Sequence, residues 1–369
     1  MIGRILPFLR RKGVEISLRR YGIDALGAMA QGLFCSLLIG TILDTAGRQF
    51  GIPWLTETIA SIGREPHRIS YTVGGMAMAM SGPAMAVAIG FALRAPPLVL
   101  FSLATVGFAS NALGGAGGPL AVLFVAILAA ETGKLVAGET KIDILVTPLA
   151  TIGAGIALSA LLAPPIGRAA MRIGALVMWA TDLQPLLMGA VVAVVVGMAL
   201  TLPISSAAIC AALGLTGLAG GAAVAGCSAQ MVGFAAMSFA ENGWGGLVSQ
   251  GIGTSMLQMG NIVRNPRIWI PPTLASAIGG PVATCLFRLR MDGPPIASGM
   301  GTCGLVGQIG VCTGWSASGG GSAADWTGLV LVSLVLPAIL APLFCAALRR
   351  IGWIRPGDLR LPDPVARVR

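Results

Sequence analysis

Apolar residues along this chain fall into runs close to the length at which a helix crosses a bilayer, about 20 residues. They cover 22–46, 71–93, 97–113, 119–136, 142–163, 186–202, 205–240, 272–287 and 327–348. Two further runs, 245–259 and 300–312, are short, and the first is glycine-rich. Segment 166–180 is less apolar, carries Arg168 and Arg172, and reads as lying at an interface. The pattern predicts an all-α, polytopic transmembrane protein of about ten spans, with roughly nine to twelve compatible with the breaks.

The breaks themselves are informative. Gly114-Gly115-Ala116-Gly117-Gly118-Pro119, Gly245-Gly246 and Gly299-Met300-Gly301 interrupt the apolar pattern. Non-helical backbone at membrane depth survives only where protein buries it or where it lines a cavity. Transporters place such breaks at corresponding positions of two halves. A weak internal echo fits this. Gly117-Gly118-Pro119-Leu120-Ala121 resembles Gly279-Gly280-Pro281-Val282-Ala283, and Gly74-Gly75 resembles Gly220-Gly221. An internal duplication and chance similarity in Gly/Ala-rich sequence both remain open.

Composition agrees with the pattern. Of 369 residues, 55% are hydrophobic and 10% charged, against about 25% charged in soluble domains. The net charge of +10 comes largely from the two ends. Arg4, Arg10, Arg11, Lys12, Arg19 and Arg20 precede the first run; Arg349, Arg350, Arg355, Arg360, Arg367 and Arg369 follow the last. The organisation expected is a basic tail at 1–20, a membrane domain at 21–348 and a second basic tail at 349–369. The positive-inside rule puts both tails in the cytoplasm and the span number at an even value, in an inner (plasma) membrane. Nucleic acid is not an expected partner, because no folded domain presents a basic face. No cleavage site for a signal peptide follows the first basic cluster. The seven cysteines lack CxxC or Cys/His spacing and read mostly as small buried thiols.

Candidate chemistry lies in the polar residues that interrupt apolar runs. Between 173 and 263 the acidic and basic side chains are Asp182 and Glu241 alone. Ionisable groups inside a membrane domain are costly and point to function by default. Glu241, followed by Asn242, either lines such a site or ends a helix at the water interface. The densest polar stretch runs from Ser249 to Asn261 and holds Gln250, Thr254, Ser255 and Gln258, with Gln230 upstream. Amides and hydroxyls both donate and accept hydrogen bonds. They suit a neutral polyhydroxylated ligand, or else they bond helix to helix. The cluster Glu131-Thr132-Gly133-Lys134 with Gly138-Glu139-Thr140-Lys141 reads as a solvated turn, except that Glu131 lies within an apolar run. Asp24 and Asp44 are weaker candidates, and Asn111, Ser205, Ser206 and Gln308 are uncharged additions to a cavity lining. His67, the one histidine, sits in a hydrophilic loop and reads as a surface residue. No Walker A sequence is present, no metal or other cofactor is expected, and no catalytic residue is assigned.

Five stretches carry a family resemblance: 95–102, 138–148, 226–234, 250–258 and 265–278, the last reading Asn265-Pro266-Arg267-Ile268-Trp269-Ile270-Pro271-Pro272-Thr273-Leu274-Ala275-Ser276-Ala277-Ile278. Together they resemble stand-alone enzyme IIC-like membrane proteins of the sugar phosphotransferase system, a family that includes proteins named perfringolysin O regulators. The resemblance covers roughly 20–348. It implies a permease-type component for a sugar or related small polar solute, served by soluble IIA and IIB proteins, with a homodimer among the expected assemblies. The alternative is a membrane-embedded ligand sensor or regulator acting on a cytoplasmic partner. The histidine that accompanies the sugar in other IIC families is missing from the apolar runs here. Phosphate transfer by this chain alone is therefore not expected.

Overall fold

The computed structural model describes residues 8–9, 11–63, 68–317 and 320–361. His67 lies outside these residues, so its expected surface position is not addressed. The chain divides into two compact units, Met1–Ala169 and Ala170–Arg369. Both are helical, as the apolar pattern requires. Among the described residues the one sheet is a small antiparallel hairpin, β1 (Ala60–Ile62) and β2 (Ile69–Tyr71), which the all-α expectation did not include.

The first unit begins with α1 (Arg20–Phe50), which contains π-helical turns at Arg20–Asp24 and Phe34–Leu38. After the hairpin come α2 (Val73–Ala79) and α3 (Ser81–Ala92), bent by 48° at Met80. Two helices then form a tight pair, α4 (Pro97–Gly114) and α5 (Gly118–Val136). Gly115, at φ +51°, makes the turn between them, a conformation that L side chains rarely adopt. Each helix has 18 or 19 residues, about 28 Å at 1.5 Å per residue, which matches the hydrocarbon thickness. The glycine run at 114–118 therefore reverses the chain between two apolar helices.

The sequence divides 142–163 from 166–180 at Pro164-Pro165. The structure instead shows one helix, α6 (Asp143–Thr181), of 39 residues, with Pro148, Pro164 and Pro165 inside it. Membrane helices tolerate internal proline more readily than soluble ones. Segment 166–180 is thus the continuation of that helix and not a separate element.

The second unit is built around α9 (Gly217–Met237), in which every residue from 219 to 231 is buried. Before it come α7 (Pro185–Thr201) and α8 (Ser206–Leu213); after it, α10 (Phe239–Val248), α11 (Met259–Arg264), α12 (Ile270–Pro281), α13 (Val306–Ala317) and α14 (Ala323–Arg350). Alanine and glycine dominate α9, and its neighbours come close for that reason. A Cβ on Gly226 would collide with the backbone of Ala193 on α7. Contact this close needs small residues, as in other membrane helix pairs.

Among the described residues, five helical stretches are long and apolar enough to cross a membrane, with α4 and α5 counted as one stretch (97–136), or six if α2 and α3 form one bent span. The shorter apolar helix α7 and the broken segment 249–269 add to these. The two sequence echoes occupy unlike local settings. Gly118-Pro119 opens α5, whereas Gly280-Pro281 lies inside a helix that continues from α12 as a π-helical turn, Val282–Leu286; Gly74-Gly75 lies in a seven-residue helix and Gly220-Gly221 in one of 21.

A candidate polar site in the second unit

The polar residues singled out in the sequence separate into distinct groups. In the first unit, Glu131 pairs with Lys134 one turn later at 3.1 Å. Lys134 is 2% exposed, so the expected solvated turn does not include it; Glu139 and Lys141 are the exposed part. A buried ammonium without a partner is strongly disfavoured, which explains the adjacent carboxylate. Asn111 sits at the α4–α5 turn, where its amide donates to Ser81 Oγ at 3.4 Å. Asp24 is exposed and Asp44 pairs with Arg48 at 3.0 Å.

The basic residues preceding α1 are held against this unit. Arg20 donates to the carbonyl of Leu93 at 2.6 Å, and Lys12 to that of Ala137. These carbonyls lie at the ends of α3 and α5, where cations complement the helix dipole. Lys12 also pairs with Glu139, and its hydrogen bond holds that carboxyl below the usual carboxylate range. Arg11, Lys12, Lys134 and Glu139 line a common cleft with Pro96, Ala137 and Gly138.

In the second unit the densest network centres on Gln230, in the middle of α9 and fully buried. Its Oε1 accepts from Trp269 Nε1 at 2.9 Å and from Thr201 Oγ1 at 3.2 Å. Its Nε2 donates to Thr273 Oγ1 at 3.3 Å and Ser276 Oγ at 3.5 Å. Thr201 and Ser255 share a hydrogen bond of 2.8 Å. All six side chains are neutral. Two residues earlier on α9, on roughly the opposite side of the helix, Ser228 accepts from Gln308 Nε2 at 3.0 Å. The other end of that amide, Gln308 Oε1, is buried and has no donor among the described residues. Buried acceptors are nearly always satisfied, so each exception calls for an explanation.

A second network occupies the 241–261 region. Gln258 Nε2 donates to Gln250 Oε1 at 2.8 Å, and Asn261 Nδ2 to Gln258 Oε1 at 2.7 Å. Gln250 Nε2 donates in turn to Ser238 Oγ at 2.9 Å. The remaining capacity is taken up by the segment after α14. Gln258 and Asn242 each donate to the carbonyl of Leu359 at 2.9 Å, and Asn261 to that of Arg360 at 3.0 Å. Glu241 pairs with Arg349 at 2.6 Å and accepts from the Leu359 amide at 3.0 Å. Both carboxylate oxygens are thus engaged. Thr254 stands apart and caps the turn by accepting from Met256 N at 3.2 Å.

The ten sequence candidates therefore do not converge on one site. Gln230 and Ser255 share one network; Gln250, Gln258, Asn261, Asn242 and Glu241 share another; Glu131 and Asn111 belong to the first unit. Thr201, Trp269, Thr273 and Ser276 were not singled out. Trp269 carried a usable signal, since an indole N–H in an apolar setting requires an acceptor. Residues 351–361 were read as part of a tail, yet Ile354 and Leu359 in them are buried.

A family model described as "Phosphotransferase system, EIIC" matches residues 23–361. Neither the curated proteins nor the solved structures contain a match.

Proposed function

We propose that this chain, which belongs to the EIIC family of the phosphotransferase system, is the permease that moves a sugar or related small polar solute through its second unit. It is a membrane component of a sugar phosphotransferase system. Such a component implies a sugar substrate and soluble IIA and IIB partners in general. The observation that carries the proposal is Gln308 Oε1. It is a buried acceptor left without a donor among the described residues, on α13 beside Ser228, which shares α9 with Gln230. A solute hydroxyl is the kind of donor it lacks, and the neutral surroundings favour a polyol over an ion.

The basic residues flanking α1 and α14 support an inner (plasma) membrane location with both ends cytoplasmic. The cleft lined by Arg11 and Lys12 offers a partly basic surface to a phosphorylated soluble partner. Reporter fusions at Arg20 and Arg355 should both read as cytoplasmic; a periplasmic signal from either removes this topology.

The central test is binding and uptake. Purified protein is screened by thermal shift against sugars and polyols, then reconstituted with labelled hits and the soluble partner proteins. At least one polyhydroxylated solute should stabilise it. Gln308→Leu should abolish that stabilisation while leaving the protein monodisperse, because the mutant offers no acceptor. Absence of any sugar or polyol binding and uptake would end the permease reading. Undiminished stabilisation of Gln308→Leu would move the solute elsewhere.

A further inference from the structure

The residues after α14 fold back in an unusual way. Residues 353–361 form neither helix nor strand. Gly352 at φ +74° and Gly357 at φ +93° let the chain reverse twice. Asn265 clamps the turn between them, donating to Trp353 O at 3.0 Å and to Asp358 Oδ2 at 2.8 Å. Asp358 Oδ2 also accepts from Arg355 N at 2.8 Å. The segment then enters the recess made by Glu241, Asn242, Gln258 and Asn261.

What the recess reads there is main chain. Leu359 N–H goes to Glu241, Leu359 C=O to Asn242 and Gln258, Arg360 C=O to Asn261, and Leu361 N–H to Asn242 Oδ1 at 2.8 Å. The Asn242 amide spans the carbonyl of residue 359 and the N–H of residue 361. A parallel β-neighbour makes the same pair of bonds across the residue between them. One side-chain amide thus makes a strand neighbour's bonds across Arg360, while the residues before it, 356–359, lie in a turn. One side chain, Leu359, is fully buried at the site. Arg355, Pro356, Gly357 and Arg360 face solvent.

We propose that this recess is a binding site for peptide main chain with one apolar residue, and that residues 358–361 are its tethered, releasable occupant. The segment is held by side-chain amides and two buried apolar residues, Ile354 and Leu359, and not by a helix or sheet. Such segments open locally while the helices around them stay closed. Because Glu241, Asn242, Gln258 and Asn261 contact main chain, and Leu359 and Asp358 are the side chains of 358–361 that are held, another segment of the same pattern competes for the recess. The inference does not depend on which solute, if any, the second unit carries.

The experiment is hydrogen exchange by mass spectrometry on the full chain in detergent. The probe is a synthetic peptide with the sequence of residues 353–361. Its control is the same peptide N-methylated at the leucine corresponding to Leu359, which lacks the N–H that Glu241 accepts. Without peptide, residues 353–361 should be protected but should exchange faster than α9. Added peptide should speed their exchange about fivefold, with α9 unchanged and the N-methyl control inert. Exchange that is as slow as in α9 and indifferent to peptide would overturn the proposal, as would equal action by the control. Asn242→Ala should raise exchange about tenfold in 353–361 alone. If it instead raises exchange throughout the second unit, Asp358→Asn decides. That substitution lies outside the buried core, and the proposal fails unless exchange rises within the segment.

Discussion

The Gln230 network and the Gln258 recess use the same chemistry and end differently. Both centre on neutral amides buried in the second unit, the second with the Glu241–Arg349 ion pair beside them, and the sequence offered both within one set of candidates. Helices α7, α9 and α12 and the broken segment between α10 and α12 close the first. A chain segment without regular structure closes the second. Satisfied hydrogen bonds therefore do not by themselves distinguish a permanent joint from an occupied site. The element that supplies the partner does.

Substitution at the centre of each network should separate them most clearly. Gln230→Leu strands the indole N–H of Trp269, while Thr201, Thr273 and Ser276 keep backbone acceptors. Stranding one buried donor costs about 1–3 kcal/mol, and loss of the amide's other bonds brings the expected destabilisation to about 3 kcal/mol. Denaturation in detergent should show it as a single cooperative loss across the unit. Gln258→Leu should be milder, about 2 kcal/mol, since Leu359 O retains Asn242 as a donor. Equal, fully cooperative losses in both variants would mean that the two regions are one structure.

Leu359→Ala sharpens the contrast further. In a helical core, Leu→Ala costs about 2–5 kcal/mol. Here the segment can detach instead of leaving a cavity, so the global loss should stop at about 1 kcal/mol, with proteolysis near Arg360 accelerated. A loss in the usual core range would show that the segment is part of the core.

The smallest expected effect is a pH effect. The Gln230 network holds no titratable group and should be indifferent to pH between 4 and 8, whereas the Lys12–Glu139 contact in the first unit should not be. Glu139 has its folded-state pKa lowered by Lys12, so its contribution is present above the unfolded carboxylate value, about 4.3. It is lost as pH falls through the lower folded value. Glu139→Gln should flatten the acid side of the stability profile slightly; an unchanged profile would show that the contact is fully screened.

Much of the helical plan was legible because membrane helices need a long apolar run. The α4–α5 turn followed directly from Gly114 to Pro119. Pro164-Pro165 misled, because a proline pair forfeits two backbone hydrogen bonds and normally ends a helix, yet α6 continues through it. At the site, Gln230 and Gln258 stood out as amides in apolar sequence. Their partners did not, since Thr201 and Ser276 resemble ordinary small helix residues until packing brings them to one point. Arg349 and Leu359 were hidden by their neighbours. The arginines around them read as a soluble end, and pairing across more than 100 residues leaves no local pattern.

That separation has a consequence for biosynthesis. Gln258 and Asn242 emerge from the ribosome 101 and 117 residues before the Leu359 carbonyl they hold. At about 5–20 residues per second, a nascent chain carries the empty recess for roughly 5–20 s. During that interval the groove has no occupant from its own chain. A chain halted upstream of Leu359 would expose that groove as a mark that quality-control proteases and chaperones can read.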